Sequence, residues 1–228
     1  MEKLNLSNLF SGKVFKVPDY QRGYAWEEKQ WRDFVEDLDV LVTDNQIKSH
    51  YTGTVVTFNP GHKSETYNRK PVVCLDIVDG QQRLTTVCLY LSVIIRNLTQ
   101  HGKTEYEQDI SEFLYHGEAC KVTLANDTEE LFAQLLKKGV PNITPHTDHQ
   151  VRLNNAIQFF SKHIEELLSD STRGIEFLEK LFQAVTGHLV FTYYSIEEEC
   201  EVGMTLELIN SRGKGVASCL DNRLGGEV

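Results

Sequence analysis

The stretch Asp79-Gly80-Gln81-Gln82-Arg83-Leu84-Thr85-Thr86 gathers a carboxylate, two amides, a guanidinium and a glycine within a few residues. These are the groups that phosphate chemistry uses. A guanidinium clamps an oxyanion with two donors, a carboxylate holds Mg2+ directly or through water, and an amide both donates to and accepts from a water. The stretch follows the apolar run Val72-Val73-Cys74-Leu75-Asp76-Ile77-Val78, which reads as a buried strand. After it, Leu84, Val87, Cys88, Leu91, Ile94, Ile95 and Leu98 recur at helical spacing. Asp79-Gly80 is therefore a tight strand-to-helix turn, with Gly80 free to take backbone angles that other residues avoid. Gln81, Gln82 and Arg83 then fall in the first helical turn, where unpaired N–H groups and the helix dipole favour anions. An arginine is unexpected there, because cations favour the opposite end of a helix. An anion held between the helix start and Arg83 accounts for it. So does a ligand-free alternative, with Asp79 capping the helix and Arg83 pointing into water. On this turn alone the second account suffices.

Two further clusters shift the balance. Residues 17–26 read Val-Pro-Asp-Tyr-Gln-Arg-Gly-Tyr-Ala-Trp, and residues 208–213 read Leu-Ile-Asn-Ser-Arg-Gly. With Gly53-Thr54 and the central turn they make four motifs in order over nearly the whole chain. In this the sequence resembles the ParB/sulfiredoxin-like N-terminal domain of GmrSD-type modification-dependent restriction systems. The resemblance implies an α+β fold, with a ParB/sulfiredoxin-like α/β core over residues 1–100. A mainly helical region over 101–228 would return the third motif to the pocket. It also implies a site for a nucleoside triphosphate and Mg2+, with Asp79, Gln81, Gln82 and Arg83 catalytic and Asp79 the metal contact. Tyr20, Gln21, Arg22, Gly80, Thr85, Asn210 and Arg212 would bind the nucleotide. Asn210-Ser211-Arg212-Gly213 has its own local explanation, a helix end with Gly213 as left-handed cap and Arg212 complementing the dipole.

The elements that must position these groups follow from the pattern. Val14–Val17 is a short strand ending at Pro18, and Glu27 to Val42 is a helix with Trp31, Phe34, Val35, Leu38, Leu41 and Val42 on one face. Between them, Tyr20, Tyr24 and Trp26 pack the loop that carries Gln21 and Arg22, or stack on a base. Tyr51–Phe58 is a strand, and the polar stretch after Asn59-Pro60-Gly61 reads as an exposed hairpin loop to Lys70. Beyond Gln100 the expected elements are a short strand at Val122–Leu124 and helices over Thr128–Lys138, His149–Ser169 and Thr172–Thr186. A strand at Leu189–Tyr194 follows, then a helix from Glu197 towards Ile209.

Composition bounds the rest. The 228 residues, 40% hydrophobic and 25% charged, suit a globular protein of one or two domains. No stretch approaches the ~20 apolar residues that span a bilayer, and the N-terminus lacks a signal-peptide layout. The expected location is the cytoplasm. A net charge of −10 argues against tight nonspecific DNA binding by this chain alone. The five cysteines are odd in number and contain no Cys-x-x-Cys pair, so no zinc ribbon or thioredoxin-like site is supported.

No Walker loop, Gly-x-Ser-x-Gly elbow, His-Glu-x-x-His pair or Rossmann fingerprint is present. Asp148-His149 faintly resembles an HNH nuclease start but has no companions at metal-site distance, and is assigned a capping or surface role. Relatives often carry a C-terminal HNH nuclease domain. Here the motif after Arg212 is blurred and the chain stops at Val228, so a short form, truncation or fragment is expected, without nuclease activity. The reading is an NTP-hydrolysing module of a prokaryotic antiphage restriction system. Its expected partners are a nucleotide, modified DNA reached through a complex, and an HNH nuclease partner or missing domain, with no membrane and with a homo-oligomer left open. The rival is a non-catalytic DNA-binding or regulatory scaffold. A sulfiredoxin-like redox role is weaker, because the central turn offers glutamines where a reactive cysteine is needed.

Overall fold

The computed structural model describes residues 1–205 except 63, 68–69, 171–172 and 199. The third expected motif, with Asn210 and Arg212, lies outside the described residues.

The chain opens with strand β1 (Glu2–Asn5), helix α1 (Leu6–Phe10) and strand β2 (Lys13–Lys16). The sequence reading missed the first two. Asn5 caps α1 by accepting from the Asn8 N–H at 2.9 Å, and Leu6, Leu9 and Phe10 are all buried. Helix α2 (Glu28–Thr43) presents the expected apolar face, starting from a Glu27–Gln30 capping box. Strand β3 (His50–Phe58), β4 (Ser64–Tyr67) and β5 (Lys70–Asp79) follow. The stretch read as a loop before Lys70 is thus partly strand. Ser64–Tyr67 pairs antiparallel with Lys70–Val73, as the strand-forming Thr66 and Tyr67 favour.

Helix α3 (Gln81–Gln100) runs through the centre, and from Leu84 to Ile95 nearly every residue is buried. The short helix α4 (Glu107–Asp109) continues into a π turn at Ile110–Leu114, then the hairpin β6 (Tyr115–His116) and β7 (Ala119–Cys120), and β8 (Val122–Thr123). Helices α5 (Glu129–Lys138), α6 (Asp148–Ser169) and α7 (Gly174–Gln183) complete the helical layer, a π turn closing α7 at Ala184–His188. The last described strand is β9 (Leu189–Ile196).

The architecture is α+β. The sheet order is β1-β9-β3-β5-β2-β8, with β4 attached to β5. The β3–β9, β2–β5 and β2–β8 pairs are parallel, and β1–β9 and β3–β5 antiparallel. Because β8 and β9 come from beyond residue 100, the sheet draws on both stretches. One core does the same, joining Phe15, Val55 and Ile77 of the strands to Leu84 and Tyr90 of α3 and to Leu153 and Phe160 of α6. Buried Lys121 adds a tie across that division, its Nζ donating to the carbonyls of Phe10 at 3.1 Å and Lys13 at 3.2 Å. Among the described residues, no helix is long and apolar enough to cross a membrane.

Candidate functional site

The central turn forms as its residues require. Gly80, at the N-cap position of α3, takes φ 99, a left-handed angle that costs a glycine little. Space excludes a side chain there as well, since a Cβ would lie 3.0 Å from the Thr54 carbonyl oxygen. No side chain caps the helix, so Asp79 does not perform the capping role. Arg83 does not point into water either. It is half-buried, donates to the Thr54 carbonyl at 2.7 Å and stands 3.9 Å from the Asp79 carboxylate. Gly53 makes room for it at φ 118, where a Cβ would come within 2.8 Å of the Arg83 Nε.

The two glutamines bind the Tyr-Gln-Arg loop to the helix start. Gln82 accepts from the Ala25 N–H at 2.7 Å and donates to the Gly23 carbonyl at 3.1 Å. Gln81 donates to the Arg22 carbonyl at 2.8 Å and to the Gln21 side chain at 3.4 Å. Gln21 donates in turn to the Val78 carbonyl at 2.9 Å. An amide serves here because each bond needs a donor or an acceptor on the same short side chain. Behind the loop, the Tyr24 hydroxyl accepts from Trp31 Nε1 and contacts Thr86 Oγ1, both at 2.8 Å. Thr86 spends its own proton on the Gln82 carbonyl, so Tyr24 is the donor to Thr86. Burial pushes the Tyr24 phenol well above its usual range, while the Thr86 and Trp31 hydrogen bonds pull the other way. Tyr24→Phe leaves a buried indole N–H without its acceptor. The expected loss is about 1–3 kcal/mol of stability, read from urea unfolding midpoints.

Loop and helix enclose a cavity of about 240 Å³. Of the expected site residues, Gln21, Arg22, Gln81, Gln82 and Thr85 line it. Asp79, Gly80 and Arg83 are not among its lining; they form a second group against β3, joined to the cavity through consecutive backbone and the Gln21–Val78 bond. Tyr20 is 61% exposed beside the loop. Among the lining residues not assigned to the site from sequence are Asp127 and His149. The Thr147–Gln150 capping box starts α6 there, and Gln150 Nε2 also donates to the Asp127 carbonyl at 2.6 Å, which brings both residues to the rim. His149 was read as a capping or surface residue. The cap is Thr147, and the imidazole packs on Gly23 with Nδ1 3.0 Å from the Tyr24 carbonyl oxygen. Only the aromatic crowding of the loop hinted that something would pack on its glycine.

Among the described residues, no cluster of three or more His, Cys, Asp or Glu side chains could hold a metal ion. Asp79, beside the Arg83 guanidinium, and Asp127, on the cavity wall, are single carboxylates. They do not suit zinc, which needs three or four protein ligands. No curated protein matches this chain. Residues 6–218 match the family described as GmrSD restriction endonuclease, N-terminal domain.

Proposed function

We propose, from the premise that the chain belongs to the family of GmrSD restriction endonuclease N-terminal domains, that it is the nucleotide-dependent module of a restriction system. It binds a nucleoside triphosphate with Mg2+ and hydrolyses it, acting on modified DNA within a complex whose nuclease is supplied elsewhere.

One observation carries this reading. Two motifs 57–60 residues apart are joined by four side-chain hydrogen bonds from Gln81 and Gln82 into the wall of a polar cavity at a helix N-terminus. A loop that only needed anchoring would not require an arginine left exposed at the mouth of that cavity. Phosphoryl transfer asks a protein chiefly for positioning and charge neutralisation, and these side chains offer both. At about 240 Å³ the cavity is smaller than the ~300–1,000 Å³ of sites that enclose a whole drug-sized ligand. The triphosphate enters, and the ribose and base stay outside, within reach of exposed Tyr20. Arg22 neutralises phosphate oxygens at the cavity wall, while Arg83 and Asp79, outside that lining on the β3 side of the same helix start, act on the part of the triphosphate that extends past it, Asp79 meeting Mg2+ through water. Gln82 is engaged with the loop at both ends and Gln81 through its amide nitrogen, so both hold the loop, leaving the Gln81 side-chain carbonyl and Thr85 to face the ligand.

Calorimetry with Mg2+ and ATP, GTP or CTP tests the reading. Wild type is expected to bind one of them, and Arg22→Ala and Arg83→Ala each to weaken it about 10- to 100-fold, as loss of a charged hydrogen bond does. Absence of binding by folded protein, with DNA binding retained, would instead establish the scaffold.

A further inference from the structure

His149 enters the cavity from the first turn of α6, outside the four motifs that carry the family resemblance. Its Nδ1 lies 3.0 Å from the Tyr24 carbonyl oxygen. A carbonyl oxygen can only accept, so Nδ1 carries the proton, and in the neutral ring Nε2 is left as an acceptor. Gly23 packs directly against the same ring; a methyl on it would stand 2.4 Å from Cγ, 2.5 Å from Cδ2 and 2.8 Å from Nδ1. The Tyr-Gln-Arg loop thus fixes both the tautomer and the plane of the ring. The charged groups that share the cavity are Arg22 from the loop and Asp127 from the turn before α5; the lining residues of α3 are neutral, and Asp148 precedes the imidazole on its own helix.

We propose that His149 is the proton acceptor of the triphosphate site, which rests on the nucleotide reading above. Its Nε2 takes a proton from a water as that water's oxygen bonds to the γ-phosphorus. The bond from the γ-phosphorus to the β–γ bridging oxygen breaks, and its electron pair leaves with the nucleoside diphosphate. Inorganic phosphate departs, and the imidazolium returns its proton to solvent. No other lining side chain combines an unprotonated nitrogen with a fixed tautomer.

Two substitutions on the full chain separate this role from a structural one. In His149→Asn the amide nitrogen replaces Nδ1 and keeps the bond to the Tyr24 carbonyl, but no acceptor stands where Nε2 was. In His149→Gln the amide replaces Nε2, and the loop contact is lost. With Mg2+ and the triphosphate that calorimetry selects, His149→Asn should bind within threefold of wild type while kcat falls about 10²- to 10⁴-fold. His149→Gln should lose affinity as well as turnover. A His149→Asn kcat within a few-fold of wild type overturns the proposal, as does binding lost in parallel with turnover. Nitrogen-15 NMR of the free protein gives a nucleotide-independent readout: an Nε2–H tautomer at His149 also overturns it. Wild-type protein that binds the nucleotide but never turns it over removes the acceptor and keeps the site. Wild-type protein that binds no nucleotide removes both.

Discussion

Gly23→Ala should weaken nucleotide binding by at least about 100-fold while the protein stays folded. The added methyl has no room, since it would meet the His149 ring at 2.4 Å. Either the ring or the loop must move by roughly an ångström, because carbon atoms in contact stand ~3.5–4.0 Å apart. If the ring moves, its bond to the Tyr24 carbonyl breaks; if the loop moves, the Gln82 bonds to Gly23 and Ala25 go with it. Each path spoils the cavity wall that Gln21 and Arg22 form. Overpacking of this kind costs about 1–3 kcal/mol, which a chain of this size survives. Calorimetry and far-UV circular dichroism on one preparation check both halves: lost affinity with an intact spectrum. Affinity within threefold of wild type would mean that loop and imidazole move apart without consequence for the ligand.

The second large effect is on stability. Phe160→Ala should cost about 3–5 kcal/mol, the usual result of truncating a buried aromatic side chain. Phe160 is fully buried, with ring centroids 5.1 Å from Tyr90 of α3, 5.7 Å from its neighbour Phe159 and 6.3 Å from Phe34 of α2. Because α2, α3 and α6 share this core, the loss should move the whole unfolding transition. Fluorescence of Trp26 and Trp31, both before residue 100, should shift to lower urea together with the far-UV signal. A tryptophan midpoint unmoved by a change in α6 would mean that the two stretches unfold separately, whatever the sheet implies.

Much of this was legible in the sequence because the signals were local. The strand before Asp79, the long apolar helix after Gly80, and α2 and α6 declared themselves by spacing alone. The elements that escaped were short: β1 and α1 offer nine residues between them, too few for either period to repeat. The site divided in the same way. Arg83 was singled out because a cation at a helix start violates a local preference, and the structure shows its partners on β3 and at Asp79. His149 could not be found this way. It lies 125 residues from the Tyr24 carbonyl it binds, and the one local pattern it belongs to, Asp148-His149, does not point to that loop. The glutamines were noticed but their roles were not, since an amide that grips backbone and one that orients water look alike in sequence.

The place of β9 bears on how the protein is made. The strand lies between β1 and β3, so the first segment to leave the ribosome joins the sheet only through one of the later ones. Until Leu189–Ile196 has been synthesised, His50–Phe58 keeps one row of N–H and C=O groups unpaired. That row is an open template during most of translation, ready to recruit the same strand from a neighbouring nascent chain. Pairing across some 140 residues of sequence is also slow to close. Production at low temperature, with few chains growing at once, should therefore favour soluble protein over inclusion bodies. Any shortened form that ends before Leu189 inherits the exposed edge permanently.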